Sequence, residues 1–210
     1  MKKKLTFLLA LTFLFLFSGS SIVFADDLQD GVDAYKRKDY ETAYKLIVPL
    51  AEQGDAEAQH NLGWMYAEGH GVSQDHKEAV KWFRLAADQG FAGAQYSLGM
   101  MYQVGLGVPQ DYKEAFKWYR LAAEKELAEA QYNLGTMYNR GHGVSQDHKE
   151  AVKWFRLSAE QKNADAQCLL GDMYLEGMGV TEDYAEAIKW WKLAAEQGHE
   201  RAKYNLDNYK

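Results

Sequence analysis

Residues 55–90 read DAEAQHNLGWMYAEGHGVSQDHKEAVKWFRLAADQG, and most of the chain repeats this stretch. Ala58-Gln59 leads to Leu62-Gly63. The same tetrad returns at Ala94-Gln95 with Leu98-Gly99, at Ala130-Gln131 with Leu134-Gly135, and at Ala166-Gln167 with Leu170-Gly171. The period is 36 residues, with nothing inserted or deleted between copies. A period of this size marks a solenoid, in which each unit is too small to bury its apolar face alone and stacks on its neighbours. The fold expected is all-α.

Within the template, Ala58, Leu62, Met65 and Tyr66 fall on one face of a helix, here called helix A. Gly69 and Gly71 then permit a sharp reversal. Asp75 with Glu78 three residues on is a capping-box pattern, and it recurs as Asp111/Glu114, Asp147/Glu150 and Asp183/Glu186. Helix B follows, with Ala79, Trp82, Phe83, Ala86 and Ala87 as its apolar stripe, and Gly90 stops it. Gly63, Gly99, Gly135 and Gly171 lie inside helix A, where glycine costs about 1 kcal/mol against alanine. A cost met four times predicts a close approach, with Ala79, Ala115, Ala151 and Ala187 of helix B as the opposing positions. Trp82, Trp118, Trp154 and Trp190 are expected to fill the space between units.

The consensus Ala-Xaa-Ala-Gln-Xaa-Xaa-Leu-Gly-Xaa-Xaa-Tyr, then Gly-Xaa-Gly-Val-Xaa-Xaa-Asp, then Ala-Xaa-Xaa-Trp and Ala-Ala, resembles the Sel1-like repeat, a relative of the tetratricopeptide repeat. The resemblance runs from Asp55 to Gly198. It implies a right-handed α/α superhelical solenoid of stacked helix pairs, with the A helices lining a concave groove. The expected organisation is a signal peptide over 1–25, a tetratricopeptide-like helical pair over 26–54, and four repeats over 55–90, 91–126, 127–162 and 163–198. A capping helix over 199–210 follows, in which Lys203 and Asp207 replace packing residues. Pro49 predicts a kink or early end in the second helix of the first pair.

Met1-Lys2-Lys3-Lys4, the 13 apolar-rich residues Leu5–Phe17 and Val23-Phe24-Ala25 have the layout of a secretory signal cleaved after Ala25. The run is short of the roughly 20 residues that span a bilayer, which favours cleavage over an anchor. The expected location is therefore periplasmic or secreted, without stable membrane insertion after cleavage. Loss of three lysines leaves 21 bases against 30 acids, a formal charge of −9. Such a surface repels phosphate backbones, so no nucleic-acid partner is expected.

Cofactors, metals and catalysis are not expected either. No nucleophile, zinc or phosphate-binding motif occurs. Gly69–Leu85 and Gly141–Leu157 are identical over 17 residues and carry His70/His76 and His142/His148. Each histidine pair is split between a turn and a helix start, with no recurring third ligand. Cys168 has no cysteine to pair with and reads as a small buried hydrophobe; a reactive thiol would need a nearby base such as Arg140. Some secreted members of the resembled family are cysteine-rich and linked to β-lactam binding, but this chain lacks their disulfides.

The A-helix positions that vary between repeats are the expected groove: His60 and Trp64; Tyr96, Met100 and Gln103; Tyr132, Thr136, Asn139 and Arg140; Cys168, Asp172 and Leu175; and Tyr204 on the cap. Trp, Tyr and Arg are the types enriched in binding hot spots. The expected function is a monomeric protein-interaction scaffold holding a peptide or protein partner. The alternative is a carbohydrate- or peptidoglycan-binding module that stacks sugars on Trp64, Tyr96 and Tyr132.

Overall fold

The computed structural model describes residues 27–209, so the signal-peptide expectation lies outside the described residues. They contain helices and turns and no strand. Their packing divides into two compact units that meet in sequence at Ala86/Ala87. The first holds α1 (27–36), α2 (Tyr40–Glu52), α3 (Ala56–Glu68) and α4 (His76–Asp88) up to Ala86. The second holds α5 (Ala92–Val104), α6 (Tyr112–Ala123), α7 (Ala128–Arg140), α8 (His148–Glu160), α9 (Ala164–Glu176), α10 (Tyr184–Glu196) and α11 (Glu200–Asn208). In the notation above, α3, α5, α7 and α9 are A helices, and α4, α6, α8 and α10 are B helices.

Each A helix ends the same way. Gly69, Gly105, Gly141 and Gly177 take positive φ, and their N–H groups donate to the carbonyls of Met65, Met101, Met137 and Met173. The tyrosine carbonyl one residue later accepts from the next N-cap aspartate, as in Asp147 N–H to Tyr138 at 3.0 Å. That bond removes the backbone donor a capping-box glutamate would need. The expected box is therefore half built. The Asp147 carboxylate accepts from the N–H groups of Lys149 and Glu150, while the Glu150 carboxylate turns to Lys153. Asp75, Asp111 and Asp183 cap in the same manner, and Glu78, Glu114 and Glu186 pair with Lys81, Lys117 and Lys189.

The mid-helix glycines face a ring. A Cβ on Gly63, Gly99, Gly135 or Gly171 would lie 2.5–2.8 Å from the ring of Phe83, Tyr119, Phe155 or Trp191. The opposing alanine contributes its carbonyl at Gly135 and Gly171, 3.2 and 3.1 Å from that Cβ. These four aromatics, one residue beyond the tryptophan column, are the fully buried ones. Trp154 fills the space between repeats, packed on Ala122, Ala123, Ala130 and Leu134.

The second glycine of the turn has a separate task. A Cβ on Gly143 would stand 2.1 Å from the Tyr112 carbonyl oxygen, and one on Gly179 would stand 2.3 Å from that of His148. The turns at Gly143 and Gly179 therefore rest directly on the start of the preceding B helix. Gly71 meets the Tyr40 carbonyl in the same way in the first unit, at 2.3 Å. The glutamines of the repeated tetrad complete the joint. Gln95, Gln131 and Gln167 are buried, and each donates Nε2–H to the carbonyl eight residues back, on Ala87, Ala123 and Ala159. Buried carbonyls at the end of one helix pair are thus satisfied by the next.

α2 runs through Pro49 to Glu52, so the expected early end does not occur. Pro49 is exposed, three residues from the helix end, where water reaches the carbonyl that loses its partner. Unit closure at position 36n + 18 needs positive φ. Gly54, Gly90 and Gly198 supply it freely, while Glu126 and Lys162 adopt it at φ 63 and 69.

Candidate functional site

Side chains from three A-type helices of the second unit converge on a polar depression of about 110 Å³. α7 presents Tyr132, Thr136, Asn139 and Arg140; α9 presents Asp165, Cys168 and Leu169; α11 presents His199 and Arg201. The 36-residue period places one residue per turn of each helix at the same height, which is why positions 132 and 168 meet there. The acids are engaged. His199 N-caps α11, where its Nδ1 accepts from Ala202 N–H at 3.2 Å, so its Nε2–H donates to Asp165 at 3.1 Å. Asp172 accepts from Arg201, from Asn205 Nδ2 at 2.9 Å and from Trp191 Nε1 at 3.0 Å.

Electrostatics follow from this geometry. Burial raises the Tyr132 hydroxyl pKa and Asp165 adds to the rise, while the neighbouring Thr136 hydroxyl and then Arg140 and Arg201 oppose it. The phenol stays a neutral donor. Burial also raises the Cys168 thiol pKa against the pull of Arg201. Cys168 is 1% exposed, among Ala187, Trp191, Ala194 and Ala202, so the expected buried hydrophobe is found, with Arg201 rather than Arg140 as the neighbouring base.

The first unit has its own hollow of about 310 Å³ between α1 and α3, lined by Val32, Tyr35, Ile47, Asn61 and Trp64. Trp64 is half-buried, edge-on to Phe83, and donates Nε1–H to His60 Nε2 at 3.0 Å. The Asn61 Nδ2 is buried with no hydrogen-bond partner among the described residues.

The remaining predicted groove residues are more committed to packing. Tyr96 lies against Tyr119, and Met100 packs with Ala115, Tyr119 and Met137. Gln103 Oε1 accepts from the Tyr119 hydroxyl at 2.6 Å. Leu175 sits on the cluster around Trp191, whereas Tyr204 is 69% exposed. Asp165, His199, Arg201 and the asparagines at 61 and 205 were not expected at the site. The signal for the asparagines was available, since Asn61, Asn133 and Asn205 occupy one repeat position. Among the described residues, no group of three or more His, Cys, Asp or Glu could hold a metal. His70 stacks on Tyr40, and His148 bonds Asn139 at 2.8 Å.

The Sel1 repeat model matches residues 28–55, 56–91, 92–127, 128–163 and 164–199. The chain belongs to the Sel1 repeat family. Sel1 repeat proteins typically serve as protein-interaction scaffolds. A Sel1 repeat protein from Oxalobacter formigenes is 35% identical, with a TM-score of 0.81 over 86% of this chain and 74% of its own. The structure of c5321, a protective antigen of uropathogenic Escherichia coli with an SLR fold, is 49% identical over 75% of this chain, with a TM-score of 0.74. This Sel1 repeat chain spans about a third (34%) of that antigen. Helicobacter pylori cysteine rich protein B shares the fold at 23% identity and a TM-score of 0.51, over 63% of this chain and 96% of its own. No curated protein sequence matches the chain. No helix among the described residues is long and apolar enough to cross a membrane.

The buried His60 predicts a loss of stability in acid for this Sel1 repeat protein. Burial lowers its pKa from 6.5 to about 4. Above 6.5 the ring is neutral whether the chain is folded or unfolded. As pH falls below that value only the unfolded chain takes the proton, so stability drops until the folded ring also titrates near 4. The loss is about 3 kcal/mol over this window. Urea midpoints at pH 7 and pH 4.5 check it: His60→Tyr, the residue present at 96, 132 and 204, should reduce the shift. An unchanged shift would rule out His60 as its source.

Proposed function

We propose that this protein is a non-catalytic scaffold that holds an extended segment of a partner protein along the faces of its A helices, outside the cytoplasm. The observation that carries this reading is the placement of open hollows. In each unit one is lined by A-helix side chains, Asn61 and Trp64 in the first and Tyr132, Thr136, Asn139 and Arg140 in the second, while a larger hollow of the second unit, about 480 Å³, lies on the B helix α8 around Leu157. Each A-helix hollow also holds a donor that the fold does not use, Asn61 Nδ2 in the first and the Arg140 guanidinium in the second. A peptide offers the carbonyls and side-chain acceptors that such donors need. The placement outside the cytoplasm rests on the layout of residues 1–25. The description of one relative as a protective antigen is in keeping with it.

Sugar stacking is less well supported. The rings of Tyr96 and Tyr132 lean on Tyr119 and Phe155, which leaves little free aromatic face. Photo-crosslinking in native envelopes separates the readings. A photoreactive residue at position 64 or 204 should capture a defined protein that one at exposed Leu157, on a B helix, does not. Equal capture from position 157 would overturn the A-face assignment.

A further inference from the structure

The polar depression on α7, α9 and α11 has an uneven charge balance in an otherwise acidic chain. Its two nearby acids are already partnered, Asp165 through one oxygen and Asp172 through both. Asp165 accepts from His199 Nε2–H, and Asp172 accepts from Arg201, Asn205 and Trp191. Arg140 lines the same hollow and makes no ion pair or hydrogen bond among the described residues. It has no competing carboxylate within its own helix turn, because the residues one turn back are Thr136 and Met137. The Thr136 hydroxyl donates back to the Tyr132 carbonyl at 3.0 Å. The Asn139 Oδ1 accepts from His148 Nδ1–H at 2.8 Å, which leaves its Nδ2 donors open.

What remains facing the hollow is a guanidinium, a neutral phenol and an amide N–H₂. Asp165 keeps one carboxylate oxygen open in the same lining, but the donors, led by the unpaired Arg140 guanidinium, outnumber it and favour an anionic guest. The size and the flanking acids narrow the anion. About 110 Å³ admits a planar carboxylate. Asp165 lines the hollow and Asp172 holds the Arg201 that also lines it, and both acids repel a dianion such as a phosphate ester more than a single negative charge.

We infer that this depression is a subsite for one carboxylate of the bound partner segment, an Asp or Glu side chain or a chain terminus, with Arg140 as its principal contact and Tyr132 donating its hydroxyl. The inference rests on the scaffold reading above. It adds that the partner is acidic at the point where it crosses α7, even though the host chain is itself acidic. Coulombic repulsion across the surface as a whole opposes such a partner, so the contact depends on this local set of donors.

The test reads the subsite without needing the natural partner. The full chain is titrated with sodium acetate, sodium chloride and inorganic phosphate at equal ionic strength, and followed by ¹H–¹⁵N spectra that include arginine Nε–H signals. Acetate should give saturable shifts at Arg140 and Tyr132 that chloride does not give, and Arg140→Gln should abolish them. Arg140 is exposed, so the variant keeps its fold. Shifts equal to those from chloride, shifts that persist in Arg140→Gln, or a stronger response to phosphate would each overturn the carboxylate assignment. A second arm selects peptides that bind the full chain. Glu→Gln in a selected peptide should weaken binding about tenfold in the native protein and not in Arg140→Gln. Binders that resist Trp64→Ala and Tyr132→Ala would refute the A-face reading itself. Binders sensitive to those changes but indifferent to the Glu→Gln change would refute only the carboxylate subsite.

Discussion

Replacing Gly143 by alanine should lower the stability of the chain by about 2–5 kcal/mol. Two costs combine. An L-residue held at φ 73 costs about 1–2 kcal/mol. Forcing a methyl group against backbone atoms adds 1–3 kcal/mol or somewhat more, because the added Cβ would meet the Tyr112 carbonyl oxygen at 2.1 Å and its carbon at 2.5 Å. Backbone cannot swing aside as a side chain can, so the two repeats must part. Gly141 provides the control. It shares the left-handed backbone, at φ 71, but an added Cβ there would come no nearer than 3.4 Å to Gln146. Gly141→Ala should therefore cost only the conformational part, about 1–2 kcal/mol. Urea unfolding followed by circular dichroism distinguishes the two. Equal midpoints for the pair would mean that the glycine serves only the turn and not the joint.

Trp191→Ala is expected to cost about 3–5 kcal/mol, the range for removing a fully buried aromatic. Trp191 is 0% exposed, lies against Gly171, and bonds the Cys168 carbonyl and the Asp172 carboxylate through its indole N–H. Trp191→Phe should be much milder, about 1–2 kcal/mol, since phenylalanine fills the equivalent position at 83 and 155. The milder variant is also informative about the site. It removes one donor from Asp172 while leaving Arg201 and Asn205 in place. Comparable losses for the two variants would place the energy in the indole hydrogen bonds and not in the buried ring.

The periodic positions were readable because they answer to packing alone. A helix stripe, a positive-φ glycine and an N-cap aspartate each impose one residue type at one spacing, so repetition exposes them. The role of Phe83, Tyr119, Phe155 and Trp191 was harder to see. Three different residue types over four positions hide a single function, whereas the invariant tryptophan beside them draws the eye while Trp82 and Trp154 stay partly exposed. The half-built capping boxes were illegible for another reason. The aspartate N–H is taken by a tyrosine carbonyl nine residues earlier, a contact made by the turn and not by the helix. At the site, Tyr132, Thr136, Asn139 and Arg140 were legible as variable positions on an exposed stripe. Arg201, His199 and Asp165 were not, because they lie one helix over and their pairing depends on how α9 and α11 settle.

The contact of Gly143 and Gly179 with a peptide carbonyl has an evolutionary corollary. A junction made of bare main chain reads no side-chain identity, so any module with glycine in that slot can follow any other. The verbatim 17-residue duplicate at 69–85 and 141–157 is what such interchangeability permits. Lengthening the array by copying a block requires no new seam to be invented, and selection is left free to rewrite only the variable helix positions that touch a guest.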